Sequence, residues 1–299
     1  HRTKHHAKHS GYATLIDFID AKVIYPDTSL SYTLAKGISK LYSKNKGIYD
    51  TSSVLKSVAL FKALLKKRKD LNIVHFLNGE RDIRHVSFFK WFFPNTKFIA
   101  TLHKPPTVMK NLISDVSSLK NLDGIIVVGK SQKAYVEEHI SPKFVRYIPH
   151  GVDTHFFKPS PTENKTNQVL CVGQHLRCFK TINEVVKVLQ ENHPEIKVCM
   201  VISSSTNSKM ATYPNVSIVN DVDDLKLLKI YQTSKVLVLP LKDVTACNSI
   251  LEAMSCGLPI VTSNLESNKA YLKDSKNRLL DNDASLIVNA VVEVMDNKA

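Results

Sequence analysis

One segment of this chain, residues 240–263 (PLKDVTACNSILEAMSCGLPIVTS), strongly limits the folds that the sequence can adopt. It includes or adjoins two short apolar runs, residues 235–239 (KVLVL) and 258–262 (LPIVT), which are typical of parallel strands covered on both faces. Residues 247–255 between them have room for about two and a half helical turns, and Gly257 is placed to end that helix. The segment therefore predicts a strand, a helix and a second strand in an α/β fold.

The unusual residue of this predicted helix is Glu252, which stands among apolar neighbours. An unpaired buried charge costs several kcal/mol, so a carboxylate between two buried strands needs a partner, and a ligand hydroxyl is one candidate. The alternative is a surface-side glutamate on an amphipathic helix. Periodicity alone does not distinguish the two, because it does not fix which way the side chain points.

Length and composition indicate two domains without a membrane span. A chain of 299 residues suits two domains of about 150 residues, and no apolar run approaches the ~20 residues that cross a bilayer. We place the boundary in the Gly- and Pro-marked stretch PHGVDTHFFKP, which predicts an N-terminal domain at 1–157 and a C-terminal domain at 158–299. The five cysteines are odd in number and form no CxxC pair, which favours a reducing compartment, and we expect a cytoplasmic protein.

Strands and helices are predicted to alternate along both halves. In the first half we predict strands at 72–77, 97–102, 124–128 and 145–148, a helix over 55–64 and a helix to 139 capped by Ser131. In the second half we predict strands at 169–172, 197–202 and 216–219, and helices at 182–189, 223–233 and 284–294. This alternation is typical of doubly wound parallel sheets, in which ligands bind beyond the carboxyl ends of the strands.

Positive charge is concentrated in the first half. Residues 1–157 hold 25 Lys and Arg against 12 Asp and Glu, whereas residues 158–299 hold 16 against 15. Such a surplus attracts anionic partners, among them phosphorylated substrates, acidic lipid headgroups and nucleic acid. Charge is the only feature that favours nucleic acid, since the patterns of common RNA- and DNA-binding modules are absent. The run at 66–69 (KKRK) is interpreted as the cationic last turn of a helix.

A candidate anion site follows the strand at 169–172. Gly173 ends that strand, and Arg177 and Lys180 then stand at the mouth of the next predicted helix. A helix N-terminus offers free N–H groups and a positive dipole end, so the two cations are placed to clamp a diphosphate. A solvent-facing loop is the alternative. The sequence has no GxGxxG or GxxxxGK[ST] motif here, which counts against dinucleotide and P-loop sites.

Three stretches together carry a family resemblance. PHGVDTHFFKP, VGQHLRCFK and PLKDVTACNSILEAMSCGLPIVTS, in this order and spacing, resemble the signatures of the retaining GT-B glycosyltransferases of family 4. The resemblance covers most of the chain and is strongest over residues 131–262. It implies two Rossmann-like doubly wound domains facing across a cleft, with a nucleotide sugar in the C-terminal domain and the acceptor in the N-terminal domain. It also implies transfer with retention, without a metal or cofactor, and a first GT-B strand that precedes residue 1.

The resemblance assigns roles to individual residues. Glu252 matches the second carboxylate of the E-x7-E motif, which accepts hydrogen bonds from ribose hydroxyls, and Arg177 with Lys180 matches the basic pair at the donor diphosphate. His103 closes the strand KFIATLH, which implies a place near the transferred sugar, although a purely structural histidine is the alternative. The family's N-terminal glycine loop, on the acceptor side, is matched by His9, Ser10, Gly11 and Tyr12.

One departure from the family lies where the transferred sugar is held. Val244 stands in place of the first glutamate of the motif, with Asp243 beside it. Asp243 either serves the sugar hydroxyls or caps the following helix. The usual small-residue cradle is replaced, and Asn248 and Ser249 offer side-chain donors instead. These changes support an alternative function, a catalytically impaired binding module on the same fold.

The expected function is that of a retaining glycosyltransferase that moves a sugar from a nucleotide-diphosphate sugar to an acceptor. Because the first half is basic, we expect an acceptor that is anionic, lipid-linked or glycan-linked, and docking on an anionic membrane surface. The histidines at positions 1, 5, 6 and 9 lack cysteine or carboxylate partners, so we expect no metal site.

Overall fold

The computed structural model describes residues 9, 11–27, 29–43, 50–113, 116–273 and 276–296. Ser10 and the histidines at positions 1, 5 and 6 lie outside the described residues. The chain divides into two compact units, with residues 15–150 in the first and residues 151–299 in the second. The described residues between 9 and 14 join the second unit. The division falls at 150/151, whereas the sequence placed it at 157/158, and Phe157 lies fully buried in the core of the second unit.

The first unit is built on a four-stranded parallel sheet. A 3-10 helix spans Tyr12–Asp17 and leads into this unit. Its helices are α1 (Tyr32–Ser43), α2 (Thr51–Lys66), α3 (Gly79–Asp82), α4 (Val86–Phe92), α5 (Pro106–Leu112), α6 (Ser117–Lys120) and α7 (Lys130–His139). Its strands are β1 (Asn72–Phe76), β2 (Thr96–Leu102), β3 (Gly124–Val127) and β4 (Val145–Tyr147). The strands lie side by side in the order β1-β2-β3-β4, which follows the chain.

The core of the first unit shows strand periodicity directly. Phe98, Ala100 and Leu102 alternate along β2 and are completely buried, while Lys97 before them is exposed and Ile99 between them is half-buried. Helices α2 and α4 pack their apolar residues on the same core. The sheet therefore buries one face along most of its length, as alternate apolar residues require.

The second unit holds a six-stranded parallel sheet. Its strands are β5 (Gln168–Val172), β6 (Lys197–Val201), β7 (Val216–Val219), β8 (Val236–Leu239), β9 (Ile260–Ser263) and β10 (Arg278–Leu280). Its α-helices are α8 (Phe179–Asn192), α9 (Asp224–Thr233), α10 (Asn248–Ser255), α11 (Glu266–Tyr271) and α12 (Ala284–Met295). A further 3-10 helix spans Ser204–Lys209. The strand order is β10-β9-β8-β5-β6-β7, so the direction of winding reverses between β5 and β8.

Both faces of the second sheet are buried. Val169 and Cys171 of β5 belong to one apolar cluster, and Leu170 and Val172 belong to the cluster on the opposite face. This explains why the strands of this unit are continuous apolar runs in the sequence. The prediction of an α/β protein with two parallel-sheet domains is confirmed.

The predicted start of α7 was wrong. The helix begins at Lys130 with Gly129 as its N-cap, so Ser131 lies inside the first turn. The side chain of Gln132 accepts hydrogen bonds from the backbone N–H groups of Val128 and Gly129, each at 2.9 Å. Gln132 therefore supplies the half of a capping box in which the side chain at the third helical position accepts the N–H of the N-cap residue.

No described helix is both long enough and apolar enough to cross a membrane. The part of the chain that the structure describes also contains no group of three or more His, Cys, Asp or Glu arranged to hold a metal ion. All five cysteines are free thiols.

Asp123 is expected to make the stability of the first unit depend on pH. Its Oδ2 accepts the Phe98 N–H and its Oδ1 accepts the Lys90 ammonium, both at 2.9 Å. Burial opposes ionisation of Asp123, but these donors outweigh it and hold the pKa of the carboxyl below its usual value. The stabilisation is therefore complete above the unfolded-state pKa and is lost as pH falls through the lower folded-state pKa.

We expect Asp123→Asn to lower the free energy of unfolding of the first unit by about 1–2 kcal/mol at pH 7. The deficit should shrink below about pH 4, because the parent protein then loses the same interactions. Urea unfolding can be followed by the fluorescence of Trp91, the chain's one tryptophan, which lies in α4. Asp70→Asn at an exposed site is the matched control. An equal deficit at pH 7 and at low pH would contradict the assignment.

Candidate functional site

The carboxyl ends of β5 and β8 form the switch point of the second sheet. The two strands pair over only two residues each, Val169 with Val236 and Leu170 with Leu237. Beyond this point the loops that follow them bond to each other, with the Cys178 N–H donating to the Pro240 carbonyl at 2.9 Å. Doubly wound sheets bind ligands at such a reversal. The segments predicted for the donor, at 173–180 and 243–252, both begin here.

Glu252 is buried, with 4% of its surface exposed. Five consecutive residues of α10, positions 249–253, are buried, so the middle of the helix is covered on all sides. Tyr231, which is itself fully buried in α9, donates its hydroxyl to Glu252 Oε2 at 2.8 Å. The alternative of a surface-side glutamate was therefore wrong.

The Tyr231 hydroxyl is a permanent donor to this carboxylate. Burial, followed by the charge of Glu252, raises the pKa of Tyr231 well above its usual value, so the phenol stays protonated. The tyrosine occupies one lone pair of one carboxylate oxygen, and a carboxylate offers about four acceptor positions. The predicted bonds to ribose hydroxyls are compatible with this arrangement and remain a prediction.

Arg177 is turned inward, with only 8% of its surface exposed. Its Nε and Nη2 donate to the Val172 carbonyl at 3.0 and 2.8 Å, and its Nη1 donates to the His175 carbonyl at 2.9 Å. Nη2 also lies 3.3 Å from Ser249 Oγ in the first turn of α10. The guanidinium thus ties the end of β5 to α10, and the alternative of a solvent-facing position was wrong for this residue.

Gly173 makes room for this guanidinium. Its φ of +80° is a left-handed conformation that favours glycine, and a Cβ atom there would lie 2.8 Å from Arg177 Nη2. The glycine at the end of β5 therefore serves both the turn and the close approach of the arginine.

Lys180 and Arg177 lie in different environments, because Lys180 is exposed to solvent and Arg177 is buried. Its side chain is 85% exposed in the first turn of α8, and its ammonium is 4.0 Å from Glu184. Such an exposed pair contributes little to stability. The structure therefore does not combine the two predicted cations into one clamp, and only Lys180 presents its charge to solvent.

In the altered segment at 243–249, Val244, Thr245 and Ser249 are buried and the other four residues are half-buried. The Asp243 carboxylate accepts the Val244 N–H at 2.7 Å, and the N-cap of α10 is Cys247, so the helix-cap alternative for Asp243 was wrong. Val244 is 7% exposed and packs in the apolar core of the unit. Asn248 is half-buried at the first position of α10. The position of the first glutamate of the motif is therefore part of the core.

Thr245 carries a buried hydroxyl for which the described residues provide no hydrogen-bond partner. Since an unsatisfied buried hydroxyl costs about 1–3 kcal/mol, we expect Thr245→Val to raise the free energy of unfolding by about 1 kcal/mol. Thr262→Val is the matched control, because the buried Thr262 hydroxyl donates to the Leu239 carbonyl at 2.7 Å, and its loss should destabilise. Urea unfolding of both variants tests the pair. A destabilised Thr245→Val protein would show that this hydroxyl has a partner.

In the first unit, His103 is held at the carboxyl end of β2. Its Nε2 lies 2.7 Å from the Leu77 carbonyl, and because a carbonyl only accepts, Nε2 carries a proton. The backbone N–H groups of His103 and Lys104 both donate to Glu80 Oε1, the latter at 2.6 Å. The ring and backbone of His103 are thus fixed, and its place near a transferred sugar remains a prediction.

Sequence reasoning missed Glu80. The carboxylate is 7% exposed, and burial raises its pKa above the usual value although two backbone N–H groups favour its charged form. The available signal was Gly79, the third residue after β1: a Cβ there would lie 2.8 Å from Leu102 Cδ2. A glycine after a strand indicates close backbone packing, and here Gly79 packs against the end of β2 with Glu80 beside it.

The predicted acceptor-side loop is grouped with the second unit. His9 Nδ1 lies 3.0 Å from Asp153 Oδ2, and its ring stacks on Phe156 with 3.8 Å between centroids. Gly11 is buried with a φ of +85°, and Tyr12 opens the first 3-10 helix. The structure therefore brings His9 to the PHGVDTHFFKP motif, a contact that the sequence did not predict.

Comparison with known proteins gives a family match and a fold. Residues 166–297 match the family model of the glycosyl transferases group 1. No curated protein matches the chain. Among solved structures, sucrose-phosphate synthase from Thermosynechococcus elongatus is 19% identical with a TM-score of 0.61, covering 81% of this chain and 68% of that protein.

Two ligand-bound structures are also similar. Anabaena HepE in complex with UDP and glucose is 12% identical with a TM-score of 0.61, covering 81% of this chain and 72% of HepE. The pneumococcal O-GlcNAc transferase GtfA in complex with UDP and GlcNAc is 14% identical with a TM-score of 0.59. That alignment covers 80% of this chain and only 53% of GtfA. Residues 166–297 therefore match the group 1 glycosyl transferases, and the fold of the chain is that of the GT-B glycosyltransferases, whereas membership of family 4 and retention of configuration stay predictions.

Proposed function

We propose that this chain is a glycosyltransferase that takes its sugar from a nucleotide-diphosphate donor bound by the second unit. One observation carries the proposal: Glu252 is a buried carboxylate at the switch point of the second sheet, within the residues that match the family. Burial of a carboxylate costs several kcal/mol unless hydrogen bonds compensate it, and a ligand's hydroxyls at this switch point would supply such bonds beside the one from Tyr231.

The proposed nucleotide contacts follow from this carboxylate. Glu252 accepts hydrogen bonds from the ribose hydroxyls with the same carboxylate that accepts the Tyr231 hydroxyl. The tyrosine fixes the rotamer of the glutamate before the donor arrives. UDP-sugars are the first donors to test, since HepE and GtfA were both solved with UDP.

The proposed diphosphate contacts are the first turns of two helices. Neither α8 nor α10 has a side-chain hydrogen bond at its N-cap, and their first N–H groups suit an anion. Lys180 adds a charge at the start of α8. Arg177 supports these turns from inside by tying α10 to β5. Donors placed at a leaving group are each worth up to ~3 kcal/mol of transition-state stabilisation.

We propose that transfer retains the anomeric configuration and needs no metal, as the resemblance to family 4 implies. The acceptor oxygen bonds to the anomeric carbon from the side that the diphosphate leaves, and the acceptor proton passes to a diphosphate oxygen. His103, with its protonated Nε2 fixed, is proposed to lie near the sugar. The acceptor is proposed to be anionic, lipid-linked or glycan-linked, because the first half carries 25 basic against 12 acidic residues.

Donor binding and turnover test this function. Thermal unfolding with UDP-, GDP-, ADP- and dTDP-sugars should reveal one stabilising donor, since a ligand at 100 times its Kd adds about 2.7 kcal/mol. The anomeric configuration of the product, read by NMR, tests retention. If no nucleotide sugar stabilises the protein and none is turned over, the proposal is wrong.

A second function is favoured by Val244. Its side chain lies in the apolar core where the family's first glutamate would contact the sugar, so the chain lacks that carboxylate. A binding module without catalysis fits this change. Stabilisation by a nucleotide sugar without hydrolysis or transfer to any acceptor would support this function instead.

A further inference from the structure

The first unit carries an exposed aromatic cluster, formed by Phe61, Phe88, Trp91 and Phe92. The ring centroids of Phe61 and Phe92 are 5.1 Å apart, those of Phe61 and Phe88 are 5.9 Å apart, and Trp91 lies 6.1 Å from Phe92. Trp91 is 77% exposed and Phe88 is 48% exposed. Soluble domains rarely leave contiguous apolar surface of this kind without a binding role.

The cluster borders the core, since Phe61 and Phe92 pack against it, but α4 also has a fully buried side of its own. Val86, Phe89 and the following Phe93 are at most 3% exposed and pack in the core of the unit. Phe88 and Trp91 lie away from that side. The helix therefore presents aromatic residues on both sides, although packing requires them on only one.

Cations border the cluster at the end of α2. Residues 66–69 (KKRK) are all exposed, and the Arg68 guanidinium lies 4.8 Å from the centroid of the Phe92 ring. Among the ion pairs of the described residues, none involves these four cations. Nearby lysines differ, since Lys62 pairs with Asp27 at 2.7 Å and Lys90 pairs with Asp123 at 2.9 Å. Asp70 is the one acid that directly follows the run.

We propose that the aromatic cluster and residues 66–69 dock the first unit on an anionic lipid bilayer. Trp91 and Phe88 enter the interfacial region, where amphipathic aromatic rings are favoured, and the four cations meet the lipid phosphates. Charge complementarity selects this occupant, because a neutral protein partner would not use four adjacent unpaired cations beside the apolar surface. The docking does not depend on the proposed transfer reaction, and it gives a transferase access to a lipid-linked acceptor.

Trp91 reports on the docking directly, because the chain contains one tryptophan. Vesicles of phosphatidylcholine with about 30% phosphatidylglycerol should shift its emission to shorter wavelength, and brominated acyl chains should quench it. Pure phosphatidylcholine vesicles should have little effect. High salt should reverse the shift, since exposed charges are screened within about 10 Å at 0.1 M.

Two variants separate the contributions. Lys67→Glu with Arg68→Glu should weaken binding to the anionic vesicles about tenfold or more. Lys187→Glu with Lys197→Glu, at exposed positions of the second unit, makes the same change in net charge and should leave binding unchanged. Phe88→Ala retains the Trp91 reporter and should reduce both the shift and the quenching. Circular dichroism of each variant checks that the fold is retained.

The outcomes decide between occupants. If the emission of Trp91 is unchanged by anionic vesicles at low salt, or if the control charge reversal weakens binding equally, the proposal is wrong. A shift that grows with protein concentration without lipid, together with a larger hydrodynamic radius, would assign the surface to a second copy of the chain and overturn membrane docking.

Discussion

Glu252→Gln should weaken nucleotide-sugar binding about a hundredfold, which corresponds to about 3 kcal/mol. The substitution keeps the shape of the side chain and an acceptor for the Tyr231 hydroxyl, which lies 2.8 Å from Glu252 Oε2. It removes the negative charge that strengthens hydrogen bonds from ribose hydroxyls, since bonds to charged groups are about twice as strong as neutral ones. Stability should therefore change much less than affinity.

Titration calorimetry with the donor that stabilises the parent protein measures this effect. Tyr231→Phe is the matched control, because it deletes the buried hydroxyl that donates to the same carboxylate. We expect Tyr231→Phe to lose about 1–3 kcal/mol of stability and to keep more of the parent's donor affinity than Glu252→Gln does. Equal donor affinity for Glu252→Gln and the parent would show that the ribose assignment is wrong, while the proposed function itself is tested on the parent protein.

Arg177→Met should destabilise the second unit by about 2–4 kcal/mol. The guanidinium is 8% exposed and donates to the carbonyls of Val172 and His175, so its removal leaves the buried Val172 carbonyl without two of its donor contacts. The tie from β5 to Ser249 in α10 is lost as well. Methionine fills part of the volume, which limits the loss due to an empty cavity.

Hydrogen exchange of β5 and α10, together with urea unfolding, measures this loss. Lys180→Met is the matched control, because the Lys180 side chain is 85% exposed and its removal should change stability by less than about 0.5 kcal/mol. On the proposed function, Lys180→Met weakens donor binding without destabilising the fold. An Arg177→Met protein that is as stable as the parent would contradict the structural role of this arginine.

Much of the second unit could be predicted from sequence because both faces of its sheet are buried. Strands β5 and β8 are continuous apolar runs, which single them out from the polar segments around them. Strand β10 and helix α11 were missed. Strand β10 has three residues, all half-buried at the sheet edge, and α11 has six residues, so neither is long enough to show a period.

In the site, too, some features could be predicted from the sequence and others could not. The sequence correctly predicted that Gly173 and Arg177 lie between the end of β5 and the start of α8. It also correctly placed Lys180 at the start of α8 and Glu252 in α10. It did not predict that Arg177 turns inward while Lys180 stays in solvent. The two are only three positions apart along the chain. Arg177 precedes α8 in a loop that bonds to Pro240 and Leu241, whereas Lys180 lies on the exposed side of the helix.

By itself the sequence determined the alternation of strands and helices, the parallel sheets and the family resemblance, because these depend on the order and spacing of residues. Only the tertiary structure decided that Glu252 is buried against Tyr231, that Asp243 does not cap α10 and that Glu80 supports His103. These facts depend on contacts between residues that are about 20 or more positions apart or on the local backbone path. Periodicity fixes the spacing along one element, whereas the partner of a side chain is set by how the elements pack.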